Sequence, residues 1–249
     1  MTESWDPKFY VRSPMFASLT KAATYFSHCT DWPGLADYNA MAKSFDLRNA
    51  SGYALDFVAA KPKPRGRLRR QVAQATQLPY EERIYQKAEV STRLGSWHDF
   101  FNALVWATYP KTKAALNQRQ HAVSCQTLVR GREQDRLAMF DEGGLICLQT
   151  PSSEASVLVF GHALFESYML GQMEVYGMTH TLIQEETFTP SIDSAKLNNI
   201  DTEMAEHITQ GLLWIPEQRP GRALLSTVKL TGFIDDLHQS GKARSKLPL

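Results

Sequence analysis

Two histidines in the chain are each followed, four positions later, by a polar residue. His98 and Asn102 form one pair, and His162 and Glu166 form the other. Side chains four residues apart share one face of an α-helix. Buried imidazole and carboxylate groups are costly unless they are paired or coordinated. His162 and Glu166 lie in a strongly apolar stretch, so a helix there is expected to bury them against a partner.

Two such helices facing each other predict a site with two imidazoles and at least one carboxylate. Nitrogen and carboxylate oxygen are donors that transition metals take, so we predict His98, His162 and Glu166 as ligands of a divalent metal ion. A metal-free acid–base pair, in which a carboxylate orients a histidine, is the alternative. A purely structural interpretation pairs Glu166 with His162 and His98 with a backbone carbonyl.

Other acidic residues extend this candidate site. Asp99 follows His98 directly, and Asp141 precedes Glu142 and two glycines. The alternative role for Asp99 is to cap its helix three residues after Ser96. The alternative role for the acidic pair is a turn, because apolar runs at 137–140 and 145–148 on either side predict a β-hairpin. The full predicted catalytic set is His98, Asp99, Asn102, Asp135, Asp141, His162 and Glu166.

A basic segment at 61–70 is the strongest bias in composition. Its prolines and glycine predict an exposed, extended loop. Lys and Arg on such a loop bind phosphate backbones without sequence specificity, although many charge runs are only solvated. The candidate nucleic-acid contacts are Lys61, Lys63, Arg65, Arg67, Arg69 and Arg70.

The elements that must position these residues are mostly helices. Trp97, Phe101 and Leu104 give a helix over 96–109 an apolar stripe, and Pro110 ends it. Further helices are predicted over 111–129, from Ser152 or Ser153 to 170, and from Asp201 to about 210, with a strand over 173–183. These patterns predict an α+β fold, with a predominantly helical core and small antiparallel hairpins. We expect 1–249 to form a single domain, with a basic flexible tail at 241–249.

Composition excludes several classes of protein. The chain has 249 residues, 43% hydrophobic, with a net charge of +1, so there is no global field to attract nucleic acid or an anionic membrane. Three widely spaced cysteines predict neither a disulfide framework nor a structural zinc cluster. The absence of a signal peptide or an apolar run long enough to span a bilayer predicts a cytoplasmic location. The sequence contains no Walker loop, GxGxxG or GxSxG motif.

Several runs of sequence together resemble one known family. They are Tyr80 to Ile84, Trp97 to Trp106, Tyr109 to Asn117, Asp135 with Leu137 to Gly143, and Phe160 to Leu164 with Glu166. Over residues 80–170 the chain is similar to the domain-of-unknown-function family 3025, known mainly from Proteobacteria. The resemblance implies a shared fold and a bacterial origin, and it brings no activity.

Two functions from different classes therefore remain open. The first is an enzyme, expected to be hydrolytic, that acts on a small molecule or nucleic acid through the histidine and carboxylate residues. The second is a non-catalytic binding protein that contacts nucleic acid or an acidic partner through the basic loop. Convergence of His98 and His162 would favour the enzyme, because catalytic groups must meet at one reacting position.

Overall fold

The computed structural model describes residues 4–61, 78–126, 131–150, 153–171, 176–184, 193–213 and 225–229. Within these ranges the protein is α+β and mostly helical, as predicted. The first elements are 3₁₀ turns at Phe9–Val11 and Pro14–Leu19, followed by α1 (Thr20–Thr24) and α2 (Leu35–Ser44). The remaining helices are α3 (Tyr80–Lys87), α4 (Trp97–Thr108), α5 (Pro110–Gln126), α6 (Arg132–Gly143), α7 (His162–Met169) and α8 (Ser194–Thr209).

The strands form two sheets. A small parallel pair joins β1 (Asp56–Ala59) to β2 (Glu89–Thr92). The larger sheet contains β3 (Gly144–Thr150), β4 (Ser153–Val159), β5 (Tyr176–Ile183) and β6 (Leu225–Lys229), in the order β4-β3-β5-β6. β3 and β4 form an antiparallel hairpin, and β3 pairs with β5 in parallel, so α7 lies in the crossover between them.

Helix α4 lies at the centre of the hydrophobic core. Nine of its residues are buried, among them Phe100, Phe101 and Trp106. Phe9 and Phe16 from the N-terminal turns pack against its aromatic side chains with ring centroids 5.3 to 5.7 Å apart. Aromatic pairs at this spacing stabilise a core beyond their buried area. Any polar side chain on α4 is therefore fixed by its surroundings.

The predicted hairpin around residues 141–144 was wrong, because the first of its two apolar runs is helical. Leu137, Phe140 and Asp141 are buried at helical spacing on α6, and the strand begins only at Gly144. The predicted helix from Ser152 or Ser153 was wrong in its first half, where β4 runs instead. The true hairpin is thus β3–β4, one element later in the chain.

Asp201 does not cap the helix in which it lies. Asp193 is the N-cap of α8, and its carboxylate accepts from the backbone N–H of Lys196. Asp201 instead reaches across to the start of α5, where its two carboxylate oxygens accept from the N–H groups of Lys111 and Thr112. It therefore satisfies orphan donors of another helix, ninety residues earlier in the chain.

Among the described residues, no helix combines the length and the apolar character that a membrane crossing requires. The basic segment beyond Lys61 and the tail at 241–249 lie outside the described residues. The predictions of a basic loop, a flexible tail and a single domain stay predictions.

Candidate metal centre

Helices α4 and α7 place His98 and His162 against each other. Their Nε2 atoms lie 3.2 Å apart, and their rings meet edge to face with centroids 4.6 Å apart. His98 begins the polar face of α4, whose other sides are buried in the aromatic core. His162 is the first residue of α7, directly after the sheet strand β4 and Gly161.

Glu166 lies behind His98 and fixes its ring. The Nδ1 atom of His98 lies 2.8 Å from the Oε2 atom of Glu166. An ionised carboxylate only accepts hydrogen bonds, so Nδ1 carries the proton and Nε2 is left with its lone pair. The hydrogen bond to Glu166 raises the pKa of His98, and the charges of Glu142 and Glu166 add to it. Glu166, which was predicted as a ligand, thus lies on the Nδ1 side of the His98 ring.

Glu142, near the end of α6, completes a group of three donors. Its Oε2 atom lies 3.3 Å from Nε2 of His162 and 3.9 Å from Nε2 of His98. The group of His98, Glu142 and His162 has the composition and spacing to hold a metal ion. The centre of the circle through these three atoms lies about 2.0 Å from each of them. This distance matches the lengths of zinc–nitrogen and zinc–oxygen bonds.

The two imidazoles differ in their burial. His162 is buried, and this burial lowers its pKa to about 3, against the opposing charge of Asp141. His162 is therefore neutral at pH 7, which is the form that binds a metal. His98 is half-buried, and the side chain of Glu142 is 52% exposed. The site thus opens to solvent on the Glu142 side.

A buried polar network underlies this group. Lys113 on α5 contacts the carboxylate of Asp141, and its Nζ atom also donates to Oδ1 of Asn102 at 3.0 Å. Burial opposes ionisation of Asp141, but the charge and the hydrogen bond of Lys113 outweigh it and hold the pKa of Asp141 below its ordinary value. Asn102 in turn donates to the hydroxyl of Tyr80, 2.9 Å away. The network links α3, α4, α5 and α6 beneath the two histidines.

Glu81, next to Tyr80 in the first turn of α3, is a second titratable group near the site. Its Oε2 atom accepts from Nδ2 of Asn117 at 2.9 Å, and the same amide donates to the backbone carbonyl of Glu81. Burial and the charge of Asp141 raise the pKa of Glu81 to about 7. Glu81 is thus a carboxyl group poised to exchange protons near neutrality.

The backbone brings α6 and α7 together without any side chain between them. The carbonyl of Gly144 accepts from the N–H groups of both Phe160 and Gly161, at 2.9 Å each. A Cβ atom on Gly161 would overlap the backbone nitrogen of Gly144 and the carbonyl oxygen of Glu142. This close approach sets the distance between Glu142 and His162, the residues on either side of it.

The remaining predicted residues have other positions. Asp99 bonds the backbone N–H and the guanidinium of Arg93, so it tethers the loop before α4. Ser96 makes no capping hydrogen bond with its side chain, although it is the N-cap of α4. Asp135 is exposed in the first turn of α6, six residues before Asp141. Asn102 and Asp141 both contact Lys113 in the buried network, and neither belongs to the group of candidate metal ligands.

Sequence reasoning did not assign Glu142, Lys113, Tyr80, Glu81 or Asn117 to the site. One signal was present, because Lys113 and Asn117 repeat the four-residue spacing of His98 and Asn102 on the next helix. Both side chains are buried. A lysine and an asparagine on the same face of a helix that packs on α4 indicate a polar interior.

Residues 68–155 match the model of a family described as a protein of unknown function, DUF3025. The match supports the resemblance found from the sequence. Neither the curated proteins nor the solved structures contain a significant match to the chain. The matched segment includes His98, Glu142 and the buried network, whereas His162 and Glu166 follow it.

Proposed function

We propose that this protein is a metal-dependent hydrolase in which His98, His162 and Glu142 bind a zinc ion. One observation carries the proposal. Two imidazole Nε2 atoms and a carboxylate oxygen, from three separate helices, converge with spacings of 3.2 to 3.9 Å. Two histidines and one glutamate, with a fourth position left for water, form a common catalytic zinc site.

The spacing of the donor atoms favours zinc over an octahedral metal. With bonds near 2.1 Å, donors in a tetrahedral site lie about 3.4 Å apart, whereas adjacent donors in an octahedral site lie about 3.0 Å apart. All three separations here exceed the octahedral value. Glu166 supports the same conclusion, because a carboxylate on the far nitrogen of a ligating histidine is the usual second contact of zinc sites.

The surrounding residues suit hydrolysis. A zinc ion lowers the pKa of bound water to near 7 and so supplies hydroxide at neutral pH. Glu81, whose pKa is also about 7, would accept the proton that the water releases. Tyr80 accepts a hydrogen bond from Asn102, and its own hydroxyl proton remains available to a substrate oxygen. Lys113 offsets the negative charge of Asp141, and it keeps this carboxylate from competing for the metal.

The first experiment compares the metal content of the parent with that of a His98→Ala/His162→Ala double variant. Both proteins are stripped with a chelator, loaded with zinc, desalted and measured by elemental analysis. We expect the double variant to lose one equivalent of zinc while circular dichroism shows an unchanged fold. His121→Ala is the matched control, since this imidazole stacks on Tyr85, one turn along α3 from Glu81, and does not belong to the group of donors, and it should keep the parent's zinc.

Activity follows from the same samples. Aryl esters and aryl phosphates of increasing size are the first substrates, and we expect turnover that depends on zinc and is lost in the double variant. Equal metal content in parent and double variant, after loading with zinc, manganese or iron, would overturn the proposal. The hydrogen-bonded pair of His98 and Glu166 would then be tested as a metal-free base.

A further inference from the structure

A second group of potential metal ligands lies in the segment after α1 and in the first turn of α2. His28, Cys29 and Asp37 each present one donor atom, and the three atoms lie within 4.8 Å of one another. The group combines a thiol, an imidazole and a carboxylate, all of which zinc accepts. It shares no residue with the site of His98, so its properties are independent of the proposed function.

The imidazole of His28 is held in the form that binds metal through Nε2. Its Nδ1 atom lies 3.0 Å from the backbone carbonyl of Tyr25. A carbonyl only accepts, so Nδ1 carries the proton and Nε2 has the lone pair. That Nε2 atom lies 3.6 Å from Sγ of Cys29. Sulfur and nitrogen bound to one tetrahedral zinc ion are about 3.5 Å apart, given bonds of about 2.3 and 2.0 Å.

The backbone around Cys29 is fixed on both sides. Its N–H donates to the carbonyl of Phe26 at 3.0 Å, and its carbonyl accepts from the indole of Trp5 at 2.9 Å. Asp37 is held through Oδ2, which accepts from the N–H of Gly34 and leaves Oδ1 for another contact. The donors are thus held in place by neighbours outside the group, as in a preorganised site.

We propose that His28, Cys29 and Asp37 form a second zinc site, in which the ion ties the segment after α1 to the first turn of α2. On binding, the S–H bond of Cys29 breaks, a zinc–sulfur bond forms, and the proton passes to the buffer. A divalent ion binds a thiolate and a carboxylate together because its charge is opposite to both.

Cobalt distinguishes this site from the first, because only a cobalt–thiolate bond gives an intense near-ultraviolet charge-transfer band. The full-length protein is stripped of metal and titrated with Co²⁺, first as the parent and then as the His98→Ala/His162→Ala variant. We expect the band to saturate at one equivalent in the double variant, and to reach the same height by two equivalents in the parent, where the site of His98 and His162 also takes up cobalt. We also expect Zn²⁺ to raise the Tm of the double variant, since an ion that binds only the native state stabilises it.

Cys29→Ser and His28→Gln each test the assignment, and His28 is exposed enough that its variant should fold normally. Both should lose the band or weaken cobalt binding at least tenfold, while the metal at His98 and His162 is unchanged. Cys125→Ser is the control, because Cys125 also lies 3.6 Å from an imidazole nitrogen, that of His121. A parent without the band, or a band that survives Cys29→Ser, overturns the second site and leaves the first untouched.

Discussion

Lys113 and Asp141 form a buried ion pair directly beneath the two facing histidines. The lysine side chain is only 4% exposed, and its Nζ atom also lies 5.3 Å from the centroid of the Trp106 ring. Asp141 immediately precedes Glu142, so the pair anchors the end of α6 that presents this candidate ligand. Removal of one partner would leave an uncompensated charge in the interior.

We expect Lys113→Met to lower the free energy of unfolding by about 3 kcal/mol or more, because Asp141 would then be buried without its cation. Chemical denaturation measures this. Lys111→Met is the matched control, because Lys111 reaches Asn198 and Thr202 on the surface, and it should cost less than about 1 kcal/mol. Equal losses of unfolding free energy in the two variants would show that the buried ion pair contributes no more to stability than the surface contacts of Lys111.

Glu166→Gln tests whether Glu166 orients His98. The glutamine amide can still accept a hydrogen bond from Nδ1 of His98 through its oxygen. It lacks the negative charge that makes the imidazole a stronger ligand of a metal ion. We expect zinc affinity to fall by about tenfold to a hundredfold, the usual effect of losing such a contact, while the fold is retained. Competition with a chromophoric chelator measures the affinity. Glu82→Gln is the control, since this carboxylate bonds Gln86 on its own helix.

The raised pKa of Glu81 predicts a pH dependence of stability in metal-free protein. Glu81 binds its proton more tightly in the native state, with a pKa of about 7, than in the unfolded chain. Its contribution to stability is therefore fully present below the unfolded pKa and is lost as pH rises through about 7. Glu81→Gln cannot titrate, and its amide oxygen can still accept from Asn117.

We therefore expect Glu81→Gln to gain stability relative to the parent as pH rises from about 4.5 to about 7. Urea denaturation at intervals across this range measures the difference. A constant difference between the two proteins at every pH would show that Glu81 titrates normally. Glu82→Gln again provides the comparison, on the neighbouring position of the same helix.

Asp201→Ala tests the contact between α8 and the start of α5. The variant removes the acceptor for two backbone donors, those of Lys111 and Thr112. We expect a loss of about 2 kcal/mol, the upper end for a helix cap, because the unpaired N–H groups are shielded from water. Asp193→Ala removes an exposed cap from α8, and it should cost about half as much. A smaller effect at Asp201 than at Asp193 would contradict this assignment.

Gly161→Ala tests whether the backbone contact between α6 and α7 sets the metal site. A methyl group there would overlap backbone atoms of Glu142 and Gly144, so the two helix ends must separate. We expect both a lower Tm and weaker zinc binding. Gly171→Ala is a useful comparison, because no atom of the described residues lies within 4 Å of a Cβ at that position, although its positive φ of 66° gives it a strain of its own. It should lower Tm without changing zinc affinity.

The sequence predicted the mostly helical fold and two of the three residues in the candidate metal group, and the reasons for the rest are physical. Four-residue spacing indicated that His98 and Asn102, or His162 and Glu166, share a face, because helix geometry is local. Which carboxylate meets the histidines depends on how α6 packs against α7, and spacing along one helix carries no information about this. Glu166 was predicted as a ligand, and it hydrogen-bonds Nδ1 of His98, while Glu142 lies within 3.9 Å of the Nε2 atoms of both histidines.

The errors at residues 137–144 and at Asp201 share one cause. A short apolar run fits a buried helix or a strand equally well, and the two glycines after Glu142 resembled a turn. Gly144 is instead needed at the end of α6, because a Cβ atom there would overlap the carbonyl oxygen of Phe140. An aspartate before an amphipathic run likewise resembles an N-cap, and Asp201 does cap a helix, but one that starts ninety residues earlier. Only tertiary structure reveals such partners.

The wide separation of the donors along the chain has a consequence for the order in which the protein folds and binds metal. His98 and His162 are 64 residues apart, and α6 and the β3–β4 hairpin must dock before their nitrogens meet. A loop of this length closes late in folding. In zinc fingers, by contrast, the ion drives the folding of the chain. Here we expect the polypeptide to reach its native state first and to load metal afterwards, so that apo and holo proteins give nearly superimposable circular dichroism spectra.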